Sequence, residues 1–201
     1  MRARAMAAAL CGAAIALQAQ ASENKPDPKK LINAQVIAEV QDVLSREVVS
    51  YALRNFNRVR GDLTPEQILA FDAQWRQERE RERKPLIVAT LSNPLSTYVK
   101  RVQARSVGLY VEIILTDHHG LNVGQSSITS DMWQGDEAKF QKTYELGPGS
   151  IFIDEAEWHE ETKTWRAQLN LTIEDPANGE LLGAATFELN LTELQRRGAQ
   201  S

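Results

Sequence analysis

The sequence predicts an α+β fold of 201 residues, with helices first and a five-stranded antiparallel sheet after them. Three observations lead there. Val36, Val40, Leu44, Val48 and Tyr51 recur every three or four residues, the spacing of one helix face. Leu109, Val111, Ile113 and Leu115 alternate with Tyr110, Glu112, Ile114 and Thr116, the period of a half-buried strand. Residues 165–173 and 181–191 alternate in the same way on either side of a Pro- and Gly-containing turn, Asp175-Pro176-Ala177-Asn178-Gly179.

Taken in order, the first helical stripe runs to about Arg60, extended by Phe56 and Val59, and Gly61 is its stop. This predicts one long N-terminal helix. Thr64-Pro65-Glu66-Gln67 starts a second: Thr64 as N-cap, Pro65 at the first turn, an acid near the positive dipole end, and Gln67 at the capping-box position. Its charge run, ERERERK over 78–84, reads as a solvated helix end closed by Pro85. Asn93-Pro94 starts a shorter helix to about Arg105. A strand over 109–116 turns tightly at Asp117-His118-His119-Gly120 into a second strand over 121–125. The run from Ser130 to Glu137 reads as the opening of a helix, with Asp131 as an N-cap. A short strand follows over 151–154, and then the hairpin, with Trp165, Ala167, Leu169, Leu171 and Ile173 facing Leu181, Ala185, Phe187, Leu189 and Leu191.

The segments LTDHHGLNVGQS and TSDMWQGDEAKFQK resemble the Cache (PDC, PAS-like periplasmic) sensor-domain family. Ile151-Phe152-Ile153-Asp154, the turn at 157–162 and the final hairpin with Asp175, Gly179, Glu180 and Gly183 extend the resemblance to roughly residues 105–195. Two positions depart from it: His159 stands where the family has Asp, and Glu161 where it has Ser, so a role resting on that Asp is not carried over. The resemblance implies a PAS-like sheet braced by a long leading helix, with a small ligand held between the sheet and the segment linking strands two and three. After a signal peptide over 1–21, which the N-terminal layout supplies, it divides the chain into a helical segment over 22–104 packing on the sheet, a sensor core over 105–195 and a tail over 196–201.

Arg2 and Arg4 precede an apolar run over 5–17 and then Ala19-Gln20-Ala21, the layout of a secretory signal peptide. The run is shorter than the ~20 residues a membrane helix needs. No second apolar run follows, which predicts an exported, periplasmic chain without membrane insertion. Cys11 lies in the removed segment, so thiol chemistry is excluded from the mature chain. Loss of Arg2 and Arg4 takes the net charge from −4 to −6, a poor match to nucleic acid, whose affinity rests on phosphate neutralisation.

The polar residues opposite the strands' apolar ones supply the candidate site. Tyr110, Glu112, Gln168, Asn170, Thr186 and Glu188 are expected on one sheet face, with Asp131 and Trp133 at its rim. A carboxylate, amides and an aromatic suit a small polar or zwitterionic molecule. The alternative is a solvated sheet face in a dimerisation or docking module. No nucleophile elbow, zinc helix, phosphate loop or dinucleotide fingerprint is present, and His118 and His119 are adjacent, pointing apart on extended backbone. The expected function is therefore non-catalytic sensing of a small molecule, without cofactor or metal, signalling to a membrane sensor kinase or receptor.

Overall fold

The computed structural model describes residues 25–199, so the expected signal peptide lies outside the described residues. Eight helices are described: α1 Pro28–Leu31, α2 Ala34–Leu44, α3 Glu47–Arg60, α4 Pro65–Arg79, α5 Pro85–Ser92, α6 Pro94–Arg105, α7 Ala138–Gln141 and α8 Leu191–Gly198. The strands are β1 Tyr110–Thr116, β2 Asn122–Gln125, β3 Ile151–Ile153, β4 Glu157–His159, β5 Thr164–Glu174 and β6 Leu181–Asn190. They form one antiparallel sheet in the order β2-β1-β6-β5-β3, with β4 also paired to β5. The predicted α+β class holds, with β4 as an added sixth strand.

One sheet face carries the core. Ile113 and Leu115 of β1, Ala167, Leu169, Leu171 and Ile173 of β5, and Ala185, Phe187 and Leu189 of β6 pack against Val36, Val40, Val49, Leu53, Leu95 and Val99 of the helices. Each fully buried Leu, Ile or Phe contributes about 1.5–3 kcal/mol, so this face holds most of the apolar driving force. β1 and β6 approach closely because Gly183 has no side chain: a Cβ there would lie 1.9 Å from the Thr116 carbonyl oxygen.

The long first helix is instead two, α2 and α3, with the short α1 ahead of them. Asn33 caps α2, accepting from the Gln35 and Val36 backbone N–H groups. The chain then breaks at Ser45-Arg46, where Arg46 is extended. The break has a packing reason. In an unbroken helix Val40 and Val49 stand nine positions apart, about 180° around the axis at 3.6 residues per turn. Both are fully buried in the same core, which a single straight helix cannot arrange.

α4 starts as read, with Thr64 and Gln67 forming the capping box. It ends at Arg79, and Pro85 opens α5 rather than only closing α4. The charge run is not wholly solvated either. Glu78 is 4% exposed, and its carboxylate accepts from the Leu86 and Ile87 N–H groups at 2.8 and 3.0 Å, capping α5.

α3, α4 and the β1–β2 turn meet at one ion pair. Arg60, at the end of α3, binds the Asp117 carboxylate; their side chains are 11% and 0% exposed. The Arg60 guanidinium also lies 5.2 Å from the Phe56 ring centroid and 5.7 Å from that of Phe71 in α4. The other Asp117 oxygen accepts from the His119 and Leu121 N–H groups at 2.9 and 3.0 Å, closing the turn. Removing one partner of such a pair leaves a buried charge uncompensated. Asp117→Ala is expected to lower the unfolding free energy by about 3–5 kcal/mol in urea titration, far more than loss of an exposed pair such as Lys30–Asp27.

Candidate functional site

The sheet's other face is polar, and strand register sets its rows. Glu112, Glu188 and Gln168 lie side by side, and the next row holds Ile114, Thr186, Asn170 and Phe152. Gln125 of β2 extends that second row beyond Ile114, and Asn122 lies beside Thr116 in a third. The Thr186 hydroxyl donates to Asn170 Oδ1 at 2.8 Å, and Asn170 Nδ2 donates to the Phe152 carbonyl at 3.1 Å. Asn170 is fully buried and Thr186 nearly so. The centre of this face is therefore closed to solvent, unlike the wet side of an ordinary two-layer sheet.

Tyr110 corrects the expectation. A register shift between Tyr110 and Glu112 turns its ring to the helical side, where it meets Phe187 edge-on at 5.2 Å. There it lines a groove with Tyr98, Val102 and Arg46. It does not share a face with Glu112.

The chain over 126–146 roofs the polar face. α7 and the 3₁₀ turn Tyr144–Leu146 contact β5 and β6, Phe140 stacks on Tyr144 at 5.0 Å, and Lys142 Nζ sits 4.2 Å above the Phe152 ring. The expected helix opening at 130–137 is absent, because its backbone N–H groups are bound elsewhere. Gln134 N donates to Gly120 O, and the N–H groups of Met132 and Trp133 both donate to Asp72 Oδ1, at 2.9 and 3.2 Å. Asn122 N in turn donates to Met132 O, and Leu121 bridges Trp133 as a single β pair. The roof approaches the turn at Gly120, where a Cβ would lie 2.8 Å from Gly135 N and where φ is +79°.

α4 grips this roof along one side. Trp75 Nε1 donates to Thr129 O at 3.1 Å and Arg79 to Ser130 O at 3.1 Å. Arg76 Nε binds Asp72 at 2.7 Å, and its Nη2 lies 3.4 Å from Asp131. Asp131 is thus no N-cap: it pairs with Arg76 and accepts from Gln134 Nε2 at 2.6 Å. Trp133 donates from Nε1 to His119 O at 2.9 Å and packs on Trp75, Leu121 and Met132 rather than forming a free wall. His118 and His119 are half-buried, with ring centroids 3.9 Å apart. His119 Nε2 lies 2.7 Å from the Gly61 carbonyl oxygen.

The layer between sheet and roof has two chemically different ends. At the open end Glu112 accepts from Ser127, and Arg166 reaches Glu188 at 3.4 Å beside a cleft of about 70 Å³ lined with Asp154, Glu157 and Gln168. At the closed end stand three amides the sequence reading missed: Asn122, Gln125 and Gln134, each at most 1% exposed. Asn122 Oδ1, Gln134 Oε1 and both polar atoms of the Gln125 amide have no hydrogen-bond partner. The only sequence signal was a strand, NVGQ, carrying two amides where its neighbours carry aliphatics. Of the eight expected residues, Asn170 and Thr186 lie under the roof, Glu112, Gln168 and Glu188 at its open end, Asp131 and Trp133 within it, and Tyr110 behind the sheet. Among the described residues no group of three or more His, Cys, Asp or Glu is placed to hold a metal.

No protein-family model matches the sequence, and no curated protein matches it. Solved structures do. The chain is similar to the ligand-binding domain of the Campylobacter jejuni chemoreceptor Tlp3 in complex with L-valine, at 14% identity and a TM-score of 0.39, covering 86% of this chain and 67% of that one. It is also similar to the ligand-binding domain of the Pseudomonas aeruginosa PAO1 amino acid chemoreceptor PctC in complex with GABA (17% identity, TM-score 0.35, 63% and 62% covered). A third is the E. coli DcuS sensor domain (16% identity, TM-score 0.37, 65% and 91% covered). The chain spans 66% of the length of the Tlp3 domain bound to 4-methylisoleucine. Among the described residues no helix is long and apolar enough to cross a membrane.

Two measurements test the site's construction. Asp72→Ala removes the acceptor of two roof N–H groups, and a bond to a charged acceptor contributes about 1.5–3 kcal/mol, so amide exchange over 129–134 is expected to quicken roughly tenfold or more while β5 and β6 stay protected. The second concerns Glu188, whose carboxyl burial pushes above its ordinary value of 4.5; Arg166 opposes the shift and Glu112 reinforces it. A raised folded value means stability is complete below pH 4.5 and is lost as pH rises through the folded value. Glu188→Gln is therefore expected to melt higher than the wild type at pH 7, by no more than about 1 kcal/mol for a partly exposed group, and level with it below pH 4.

Proposed function

We propose that this chain is a non-catalytic, exported sensor domain that holds a small polar molecule between the polar sheet face and the 126–146 roof, and reports occupancy to a partner protein. The observation that carries this reading is the roofed face itself: its centre is polar, buried and covered by a segment of mostly irregular backbone rather than by a second apolar layer. A fold that needed only stability would bury aliphatic groups there, since buried polar groups cost free energy unless fully bonded. The family resemblance over 105–195 supports the same reading, and the signal-peptide layout supports a periplasmic location.

The grip of α4 on the roof supplies the route outward. An occupant that favours one roof position favours the matching placement of Asp72, Trp75, Arg76 and Arg79, and so of α4. The shift is limited to the ligand's differential affinity for the two positions. A membrane sensor kinase or receptor is the partner class that reads such a change.

A thermal-shift screen of the purified protein with amino acids, carboxylates, amines, polyols and amides tests the reading. A ligand at about 100 times its dissociation constant adds about 2.7 kcal/mol. The expected result is a saturable shift accompanied by slower amide exchange over 126–146. Absence of any shift, with elution as a concentration-dependent dimer, would replace the sensor by an interaction module.

A further inference from the structure

The sensor reading leaves open what kind of molecule the layer accepts, and the three buried amides narrow it. Asn122 Nδ2 donates to Thr129 Oγ1 and to Asp131 O, at 3.0 and 3.1 Å, which fixes its Oδ1 as the free atom. Gln134 Nε2 donates to the Asp131 carboxylate, which leaves its Oε1 free. Gln125 has neither end bonded. Its backbone cannot retreat: Gln125 N donates to Ser96 Oγ at 3.0 Å, and Asn93 holds the Val123 carbonyl at 2.8 Å. Asn122 and Gln125 share the polar sheet face through their register with Thr116 and Ile114, and Gln134, opposite Gly120 on the roof strand, meets Asn122 at the Asp131 carbonyl, to which both side-chain NH₂ groups donate.

The charges around these amides are already matched. Asp131 is held by Arg76 and Gln134, Asp72 by Arg76 and two backbone N–H groups, and Asp117 by Arg60. A zwitterion placed there needs a carboxylate for its ammonium and a cation for its carboxylate, and a buried charge without its counter-charge is strongly disfavoured. What the site offers is three acceptor oxygens and one amide NH₂.

We propose that the closed end of the layer, formed by Asn122, Gln125 and Gln134, binds an uncharged small molecule rich in O–H or N–H donors, rather than an amino acid or an organic anion. The proposal rests on the sensor reading and narrows it. Polyols and primary amides share the required chemistry.

The test is calorimetric titration of the full chain with two uncharged panels and one charged panel. The uncharged ones are myo-inositol, ribose and glycerol, and acetamide and nicotinamide; the charged one is glycine, L-valine and GABA. Millimolar concentrations keep solute exclusion from mimicking binding. Each probe is repeated on Gln125→Leu and on Gln125→Glu. Gln125→Leu replaces an unbonded amide by an apolar group of similar shape, so it is expected to fold and to melt at or above the wild type. An uncharged probe is expected to bind the wild type and to lose about tenfold or more in affinity in both variants, the effect of one unmade hydrogen bond in a buried site. Which uncharged panel responds separates polyol from amide. Binding by the charged panel alone overturns the ligand class while leaving the sensor reading intact. Uncharged binding that survives in Gln125→Leu overturns the site. No binding by any probe, with Gln125→Leu melting higher, overturns both and makes these amides a hydration site only.

Discussion

The Arg60–Asp117 pair is the constraint on which the remaining architecture hangs. Three elements meet at it: the last turn of α3, Phe71 in the middle of α4, and the turn between β1 and β2. A single carboxylate closes that turn and receives the guanidinium, so the turn's shape and the helices' position are fixed together. Everything on the polar side follows from it. Gly120 and Asn122 leave the turn as the pairing edge for 132–134, and the roof grows from that edge. A lone ion pair is weak support for a fold at the surface; here the carboxylate is buried, the guanidinium is mostly covered and the carboxylate's second oxygen is fully used, which is the arrangement in which breaking a pair is most costly.

The two faces of the sheet divide the work. The helical face is aliphatic and aromatic throughout, and it holds the fold. The opposite face is free of that duty, and it carries Asn170 bonded to Thr186 beneath the roof, charged groups at one end and amides with unbonded oxygens at the other. Polar groups in a low-dielectric layer fix geometry when satisfied and are costly when not. The bonded pair in the middle is therefore a rigid floor, and the amides at the closed end are where a further hydrogen-bonding partner gains most.

How much of this was legible in the sequence depended on the kind of signal. Capping signals that carry a proline at the first turn held: Thr64-Pro65-Gln67 and Asn93-Pro94 start helices where their side chains say they must. Strand alternation gave β5 and β6 and the core they share, because the hairpin register follows from the turn held by Asp175 and Gly179. Periodicity failed where tertiary contacts re-phased it. Val36, Val40 and Val48 fit one helix, but the sheet needed Val40 and Val49 on the same side and the chain broke to allow it. Tyr110 failed for a similar reason, since one bulge inverts every side chain before it.

The roof was the hardest part to read, and the reason is physical. Ser130-Asp131 carries the residues of a helix start, and in isolation its N–H groups have no better use than a helical turn. Asp72, some sixty positions earlier, offers Met132 and Trp133 a charged acceptor, and Gly120 offers Gln134 a carbonyl. Bonds to a charged group are stronger than those of a first helical turn, whose N–H groups are unpaired in any case, so the segment stays open. Openness is also what a roof over a binding layer requires. A helix there satisfies its own backbone and owes α4 nothing, whereas an irregular strand bound to Asp72, Trp75 and Arg79 cannot move without moving them. The same non-local bonds that hid this segment from sequence reading are the ones that tie what lies beneath it to the outer helices.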